Sequence, residues 1–93
     1  MKTVYKFKVN SENCRVEIPV GAQILSAGAQ ALDLFVWAIV ETDETQWKMV
    51  DMTIVGTGHP LPRKLGKFLS TVQMEHGLVF HVFLPESQTE EPK

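Results

Sequence analysis

Ninety-three residues, 44% of them hydrophobic and 22% charged, are enough for one globular domain and exclude both a two-domain protein and a disordered chain. Nine basic residues against eleven acidic ones give a net charge of −2, which argues against a protein that binds duplex DNA through a basic face. The longest apolar run, Leu34 to Val40, is too short to cross a bilayer, and the single cysteine favours a reducing compartment. We therefore expect a small cytoplasmic domain with no membrane partner.

The first half of the chain has the alternation of β-strands. Residues 3–9 alternate apolar and polar side chains, which is the period of a half-buried strand. Turn-forming residues 10–13 follow, and then Cys14, Val16 and Ile18 alternate with charged residues. We therefore predict that the first two strands form a hairpin, with Cys14 as a small apolar residue of the core.

Residues 23–30 are ambiguous, because their alanines favour a helix whereas Gly28 opposes one. We predict a strand over residues 23–27 and a turn over residues 28–33, and a short helix stays open as the alternative.

The second half repeats the pattern of short strands separated by polar or Gly/Pro-rich segments. Further strands are predicted over residues 34–41, 47–55, 67–74 and 78–84, with one helical turn over residues 63–67. About seven strands indicate an all-β, single-domain antiparallel sandwich or barrel that spans residues 1–84. Residues 85–93 contain no large apolar side chain, so we expect a disordered polar tail.

Two of these strands, over residues 34–41 and 78–84, carry apolar residues on both faces. A small antiparallel domain normally leaves one sheet face to water. The second apolar face therefore indicates either a closed barrel with a loop or short helix packed outside it or a subunit interface, and we expect a homo-oligomer. Trp37 and Trp47 flank an acidic turn, and we expect them to face each other across a hairpin or to contact a partner. The candidate interface residues are Phe35, Trp37, Trp47 and Phe83.

The loop Gly56-Thr57-Gly58-His59-Pro60 is the densest cluster of special residues. Its glycines would let backbone N–H groups face an anion, and Arg63 and Lys67 follow closely. The spacing fits neither the Walker phosphate loop nor the dinucleotide fingerprint, so a plain strand-ending turn is the competing interpretation. The candidate ligand-binding residues are Gly56, Thr57, Gly58, His59, Arg63, Lys67 and His81.

The three histidines, His59, His76 and His81, do not have the spacing of a metal site, so we predict no metal and no cofactor. His81 lies in mid-strand and is a candidate functional polar group in an apolar pocket. Asp51 lies between two apolar residues of a predicted strand, so it either faces water or pairs with His59 or Arg63 across the sheet.

Five segments of the chain together resemble a family of small proteins from phage and prophage genomes. They are Met1–Phe7, Val16–Ser26, Trp37–Val40, Gly56–Pro60 and Leu78–Phe83. The function of that family is unknown, so the resemblance implies a setting rather than catalytic residues. Phage proteins of this size often act by binding host enzymes or defence components.

We therefore expect a non-enzymatic binding protein that acts on a host or defence component in the host cytoplasm. The alternative is a protein that sequesters a small phosphorylated or nucleotide ligand at the Gly56–His59 loop. A small acid-base enzyme that uses His59 or His81, and a virion-associated protein, are further possibilities.

Overall fold

The computed structural model describes residues 1–86, and within them it contains eight β-strands and no α-helix. The strands are β1 (Lys2–Lys8), β2 (Arg15–Pro19), β3 (Gln23–Gln30), β4 (Asp33–Glu41), β5 (Trp47–Asp51), β6 (Thr53–Gly56), β7 (Lys67–Gln73) and β8 (Val79–Leu84). A 3₁₀ turn over Glu75–Gly77 connects β7 to β8. The predicted all-β antiparallel class is confirmed. Within the described range no helix could span a membrane.

The strands form three antiparallel sheets around a shared apolar core. The orders are β1-β4-β3, β2-β5 and β6-β8-β7, and the Cα extents of 40 × 30 × 19 Å suit a flattened sandwich. Each sheet contributes alternate residues to the core, because successive side chains of a strand point to opposite faces. The fully buried core side chains with the largest volumes are Ile18, Val16, Val36 and Val82.

The predicted hairpin of the first two strands is wrong. β1 pairs with β4, and β2 pairs with β5, so the turn after β1 sends the chain into a different sheet. Cys14 has a φ of 59° and precedes β2, so it is a half-buried turn residue rather than a strand residue of the core. The left-handed conformation at Cys14 breaks the extended backbone that a simple hairpin would need.

Strand β3 runs through Gly28, so both the predicted turn at that residue and the helical alternative are wrong. A β-carbon at Gly28 would lie 3.1 Å from Cζ3 of Trp37, so the glycine permits a close cross-strand approach of the indole. The turn lies further on, at Ala31, which has a φ of 54°.

The predicted strand over residues 47–55 is two strands, β5 and β6, which belong to different sheets. They separate at Met52, whose N–H donates a 2.9 Å hydrogen bond to the carbonyl of Cys14. The helical turn predicted over residues 63–67 is also wrong, because that segment is irregular. Of the predicted tail, Pro85 is half-buried, and residues 87–93 lie outside the described residues.

Candidate functional site

The Gly56–His59 segment forms a tight turn at the end of β6. The N–H of His59 donates a 3.0 Å hydrogen bond to the carbonyl of Gly56, and Gly58 has a φ of 89°. A positive φ at the third of four residues is the signature of a type II turn, which favours glycine there. The geometry of this segment is therefore that of the strand-ending turn that the sequence left as one interpretation.

The turn brings Thr57 to His81. The Oγ1 atom of Thr57 lies 2.7 Å from Nε2 of His81, and Oγ1 of Thr71 lies 3.1 Å from Nδ1. The register explains the second contact, because Thr71 on β7 and His81 on β8 are directly opposite each other. A neutral imidazole has one donor and one acceptor nitrogen, and the two threonine hydroxyls satisfy both. Thr71 was missed in the sequence, because only the β7–β8 register places it beside His81.

His59 and His81 do not share a site. A β-carbon at Gly56 would lie 3.0 Å from Nδ1 of His59, so the His59 ring occupies the side to which a residue-56 side chain would point. Gly56 pairs with Phe80, whereas the neighbouring pair is Val55 with His81. Since successive residues face opposite sides of a sheet, His59 and His81 lie on opposite faces.

Of the two predicted basic groups, Lys67 lies well away from the turn. Lys67 pairs with Leu84, four residues along β8 from the Gly56–Phe80 pair, which is about 13 Å at the rise of a β-strand. Arg63 is exposed in the irregular segment before β7. Among the predicted ligand-binding residues outside the turn, His81 therefore contacts the turn through Thr57. Lys67 lies at the opposite end of the sheet.

The candidate ligand-binding residues form neither a metal centre nor the predicted pair with Asp51. No group of three His, Cys, Asp or Glu side chains that could hold a metal ion occurs in residues 1–86. The Asp51 side chain is 71% exposed and forms its ion pair with Arg15 across the β2–β5 sheet. Asp51 therefore faces water, and the alternative pairing with His59 or Arg63 is wrong. An open cleft of about 400 Å³ is lined by Lys8, Asn10, Ser11 and Glu12, none of which was a predicted site residue.

Two of the predicted interface residues, Phe35 and Trp37, lie on the face of β4 opposite the buried Val36. Their ring centroids are 6.5 Å apart, and both side chains are half-buried. The Nζ atom of Lys6 lies 4.6 Å from the centroid of the Phe35 ring, which is a cation–π contact. This face is therefore partly covered by side chains of its own sheet.

Trp47 is instead 51% exposed and lies at the junction of two sheets. Its ring meets that of Phe7 edge to face, with centroids 5.9 Å apart and an interplanar angle of 78°. The expected contact between Trp37 and Trp47 across a hairpin is wrong, because β4 and β5 belong to different sheets.

Two more exposed side chains extend this aromatic junction. Tyr5, on the same face of β1 as Phe7, is 50% exposed, and Met49, on the same face of β5 as Trp47, is 57% exposed. We refer to Tyr5, Phe7, Trp47 and Met49 as the Tyr5–Trp47 surface. The sequence indicated only Trp47, because the contact between β1 and β5 is not local.

The fourth predicted interface residue, Phe83, packs against Phe68 on the β6-β8-β7 sheet. The two rings meet at 70° with centroids 5.7 Å apart, and Phe68 is 53% exposed. The pair lies directly across the β7–β8 ladder. It is thus an aromatic cross-strand contact of the kind that stabilises a sheet by about 0.2–1 kcal/mol.

Comparison with known proteins gives the chain a family. Residues 1–93 match the family described as a domain of unknown function, DUF7352. No protein of curated function matches the chain, and no solved structure matches it. The match covers every residue of the sequence, and the chain therefore belongs to the DUF7352 family of domains.

Proposed function

We propose that this domain is a non-enzymatic binding protein whose partner is another protein. The observation that supports the proposal is the half-exposed Trp47 at the Tyr5–Trp47 surface, where it meets Phe7 and adjoins the exposed Met49. Tyr, Trp and Met are enriched in protein–protein interfaces, and Trp and Tyr dominate their binding energy. Exposed apolar clusters of this kind are typical of interaction surfaces.

The polar groups favour binding over catalysis. No polar or charged residue within residues 1–86 is buried, whereas electrostatic catalysis works best with groups held in a water-excluded site. The two imidazoles that could serve as a general base lie on opposite faces of one sheet. His81 is bonded to two hydroxyl groups rather than to a carboxylate that would orient it and stabilise its charged form.

The resemblance to small phage and prophage proteins supports a finer version of the proposal. In that setting the partner is a host enzyme or a defence component, and the domain acts in the host cytoplasm. Small proteins in this setting often work by occupying a surface of their target, which needs no catalytic residue.

The test compares two equally exposed aromatic residues on different sheets. Wild-type protein, Trp47→Ser and Phe68→Ser are immobilised, and host proteins retained by each are quantified by mass spectrometry. The relevant partner is the one retained by wild type and by Phe68→Ser, and its affinity is then measured with purified protein. Loss of an interface tryptophan costs about 2 kcal/mol or more, which is about thirtyfold in affinity. A partner that binds Trp47→Ser within threefold of wild type contradicts the proposal.

A second candidate, a small anionic ligand, is favoured by one contact. The turn that the sequence singled out does reach His81 through Thr57. A ligand held there should raise the melting temperature of the wild type and not that of His81→Ala, because a ligand stabilises only the state that binds it. A thermal-shift screen of nucleotides and cyclic nucleotides makes this comparison, and equal shifts for both proteins, or none, would remove this candidate.

A further inference from the structure

The outer edge of β1 carries unpaired backbone groups at regular positions. β1 is the terminal strand of the β1-β4-β3 sheet, and its seven residues pair with β4 alone. The carbonyl of Met1 accepts from the N–H of Thr42, and the N–H of Val9 donates to the carbonyl of Leu34. Bonded and non-bonded pairs alternate in an antiparallel ladder, so the odd-numbered residues of this strand bond to β4. The N–H and C=O groups of the even-numbered residues therefore point away from the sheet.

The side chains of those even-numbered residues are three lysines and one valine. Lys2, Val4, Lys6 and Lys8 are all exposed and all lie on one face of the strand. The next hydrogen bond along the chain joins the N–H of Asn10 to the carbonyl of Arg15, which is beyond the end of β1. Within residues 1–86, the outer edge of β1 thus makes no backbone hydrogen bond, and it is lined with positive charge.

The charges on this edge are only partly compensated within the domain. Lys8 forms a 3.5 Å ion pair with Asp33. Lys6 donates to the neutral amide oxygen of Gln30, and its ammonium lies over the ring of Phe35. Within residues 1–86, neither Lys2 nor Lys6 has a carboxylate at ion-pair distance. The lysines of this edge can therefore pair with acidic groups of a partner.

A second copy of the chain is a poor occupant of this edge. Antiparallel self-pairing centred on Tyr5 would place Lys2 opposite Lys8 of the other copy and Val4 opposite its Lys6. Shifting the centre to Val4 or Lys6 still opposes lysine to lysine, and like charges directly opposite destabilise a pair of strands. Edge lysines commonly protect sheets from pairing with themselves in this way.

We propose that an extended acidic segment of the partner protein adds to β1 as an antiparallel strand. Its acidic residues lie opposite Lys2, Lys6 and Lys8, and its apolar residues lie opposite Tyr5 and Phe7, next to Trp47. Main-chain hydrogen bonds to the even-numbered residues hold the segment, and the alternate side chains select it. This inference rests on the proposed function, since it gives the partner's chemistry at the Tyr5–Trp47 surface.

The pattern defines a probe peptide. Read against residues 8 to 2 of β1, the segment is Glu-Val-Glu-Ile-Val-Thr-Glu, flanked by glycine and serine for solubility. Titrated into ¹⁵N-labelled protein, it should shift the amide resonances of Lys2, Val4, Lys6 and Lys8 more than those of Thr3, Tyr5 and Phe7. The latter amides are already bonded to β4. A peptide in which lysine replaces each glutamate is the charge control and should not bind.

Two matched pairs of measurements separate strand addition from simple charge attraction. N-methylation of the peptide residue opposite Lys6 removes an N–H that points at β1 and should abolish binding, whereas N-methylation opposite Tyr5 should be tolerated. The double variant Lys2→Glu, Lys6→Glu should bind the acidic peptide about tenfold more weakly and should gain binding to the lysine peptide. Equal effects of the two N-methylations, or binding of the acidic peptide unchanged by the charge reversals, would overturn the inference.

The same variants distinguish this inference from the proposed function. If Trp47→Ser loses the purified partner while the Lys2→Glu, Lys6→Glu variant keeps it, the surface binds a protein but not an acidic added strand. If both variants bind that partner as wild type does, the proposed function fails as well.

Discussion

Gly66 is the residue at which the structure makes its sharpest stability prediction. A β-carbon added there would lie 1.6 Å from the carbonyl oxygen of Leu84 and 2.7 Å from its carbonyl carbon. Both atoms belong to backbone, which cannot rotate out of the way as a flexible side chain can. Gly66→Ala therefore has to push the segment before β7 away from the end of β8.

The size of the effect follows from what Leu84 does. Non-bonded heavy atoms rest about 3.5 Å apart, so the two segments must separate by about 2 Å. Leu84 is 6% exposed in the core and pairs with Lys67 at the end of the β7–β8 ladder. Losing one ladder hydrogen bond and part of the burial of one leucine costs about 2–4 kcal/mol. That is a large fraction of the roughly 5–14 kcal/mol expected for a domain of this length.

The matched control is Gly58→Ala. Gly58 has a φ of 89° and no heavy atom within 4 Å of an added β-carbon, so alanine there meets only the left-handed strain of about 1–2 kcal/mol. Urea denaturation of both variants, compared at equal m-value, gives the two losses of unfolding free energy. A Gly66→Ala protein as stable as Gly58→Ala would refute the reasoning from backbone contact.

Three further predictions concern stability and assembly. The Oγ atom of Ser70 accepts a 2.9 Å hydrogen bond from the N–H of Ala27, so Ser70→Ala should lower the unfolding free energy by about 1–2 kcal/mol in urea denaturation, whereas exposed Ser26→Ala should be neutral. The N-terminal ammonium, by hydrogen bond and by charge, holds the pKa of Glu41 below its ordinary 4.5, so the stability from this pair is present above about pH 4.5 and is lost as pH falls through the lowered value; melting curves of Glu41→Gln should lack that part of the acid dependence. Light scattering at micromolar concentration should give a mass above 10.5 kDa if the apolar outer face of β4 associates, and a monomer at every concentration would remove that expectation.

The strands themselves could be predicted because their signals are local. Alternation placed Val16 and Ile18 in the core, and both are fully buried. The apolar residues of segment 34–41 predicted a strand with two apolar faces, and β4 is such a strand. These features follow from alternation with a period of two residues, which can be recognised within a short window of the sequence.

The pairing of the strands could not be predicted in the same way. Nothing local indicates that β1 pairs with β4 rather than β2, since that pairing joins residues distant in the sequence, such as Lys2 and Glu41. Gly66 was not recognised for the same reason, because the backbone that it approaches belongs to Leu84, which is distant in the sequence. Gly28 was interpreted as a turn signal, whereas the fold uses it for a close approach to Trp37.

The candidate site shows the same difference between features that local sequence patterns predict and contacts that only the fold creates. The exposed aromatic residue Trp47 stood out from the sequence, whereas its contact with Phe7 required the folded arrangement of β1 and β5. The Gly56–His59 segment was singled out for its composition, and a type II turn accounts for that composition. Thr71 carries no sequence signal, yet it is one of the two hydroxyl partners of His81.

The central claim is that this domain binds a protein partner through the Tyr5–Trp47 surface and the adjoining edge of β1. Hydrogen–deuterium exchange of the full chain, with and without the captured partner, tests it most directly. We predict that protection on binding is concentrated in Lys2–Lys8 and Trp47–Asp51, and that within β1 it is greatest at the outward-facing amides of the even-numbered residues. Protection that falls instead on the β6-β8-β7 sheet around His81, with β1 and β5 unchanged, would contradict the account.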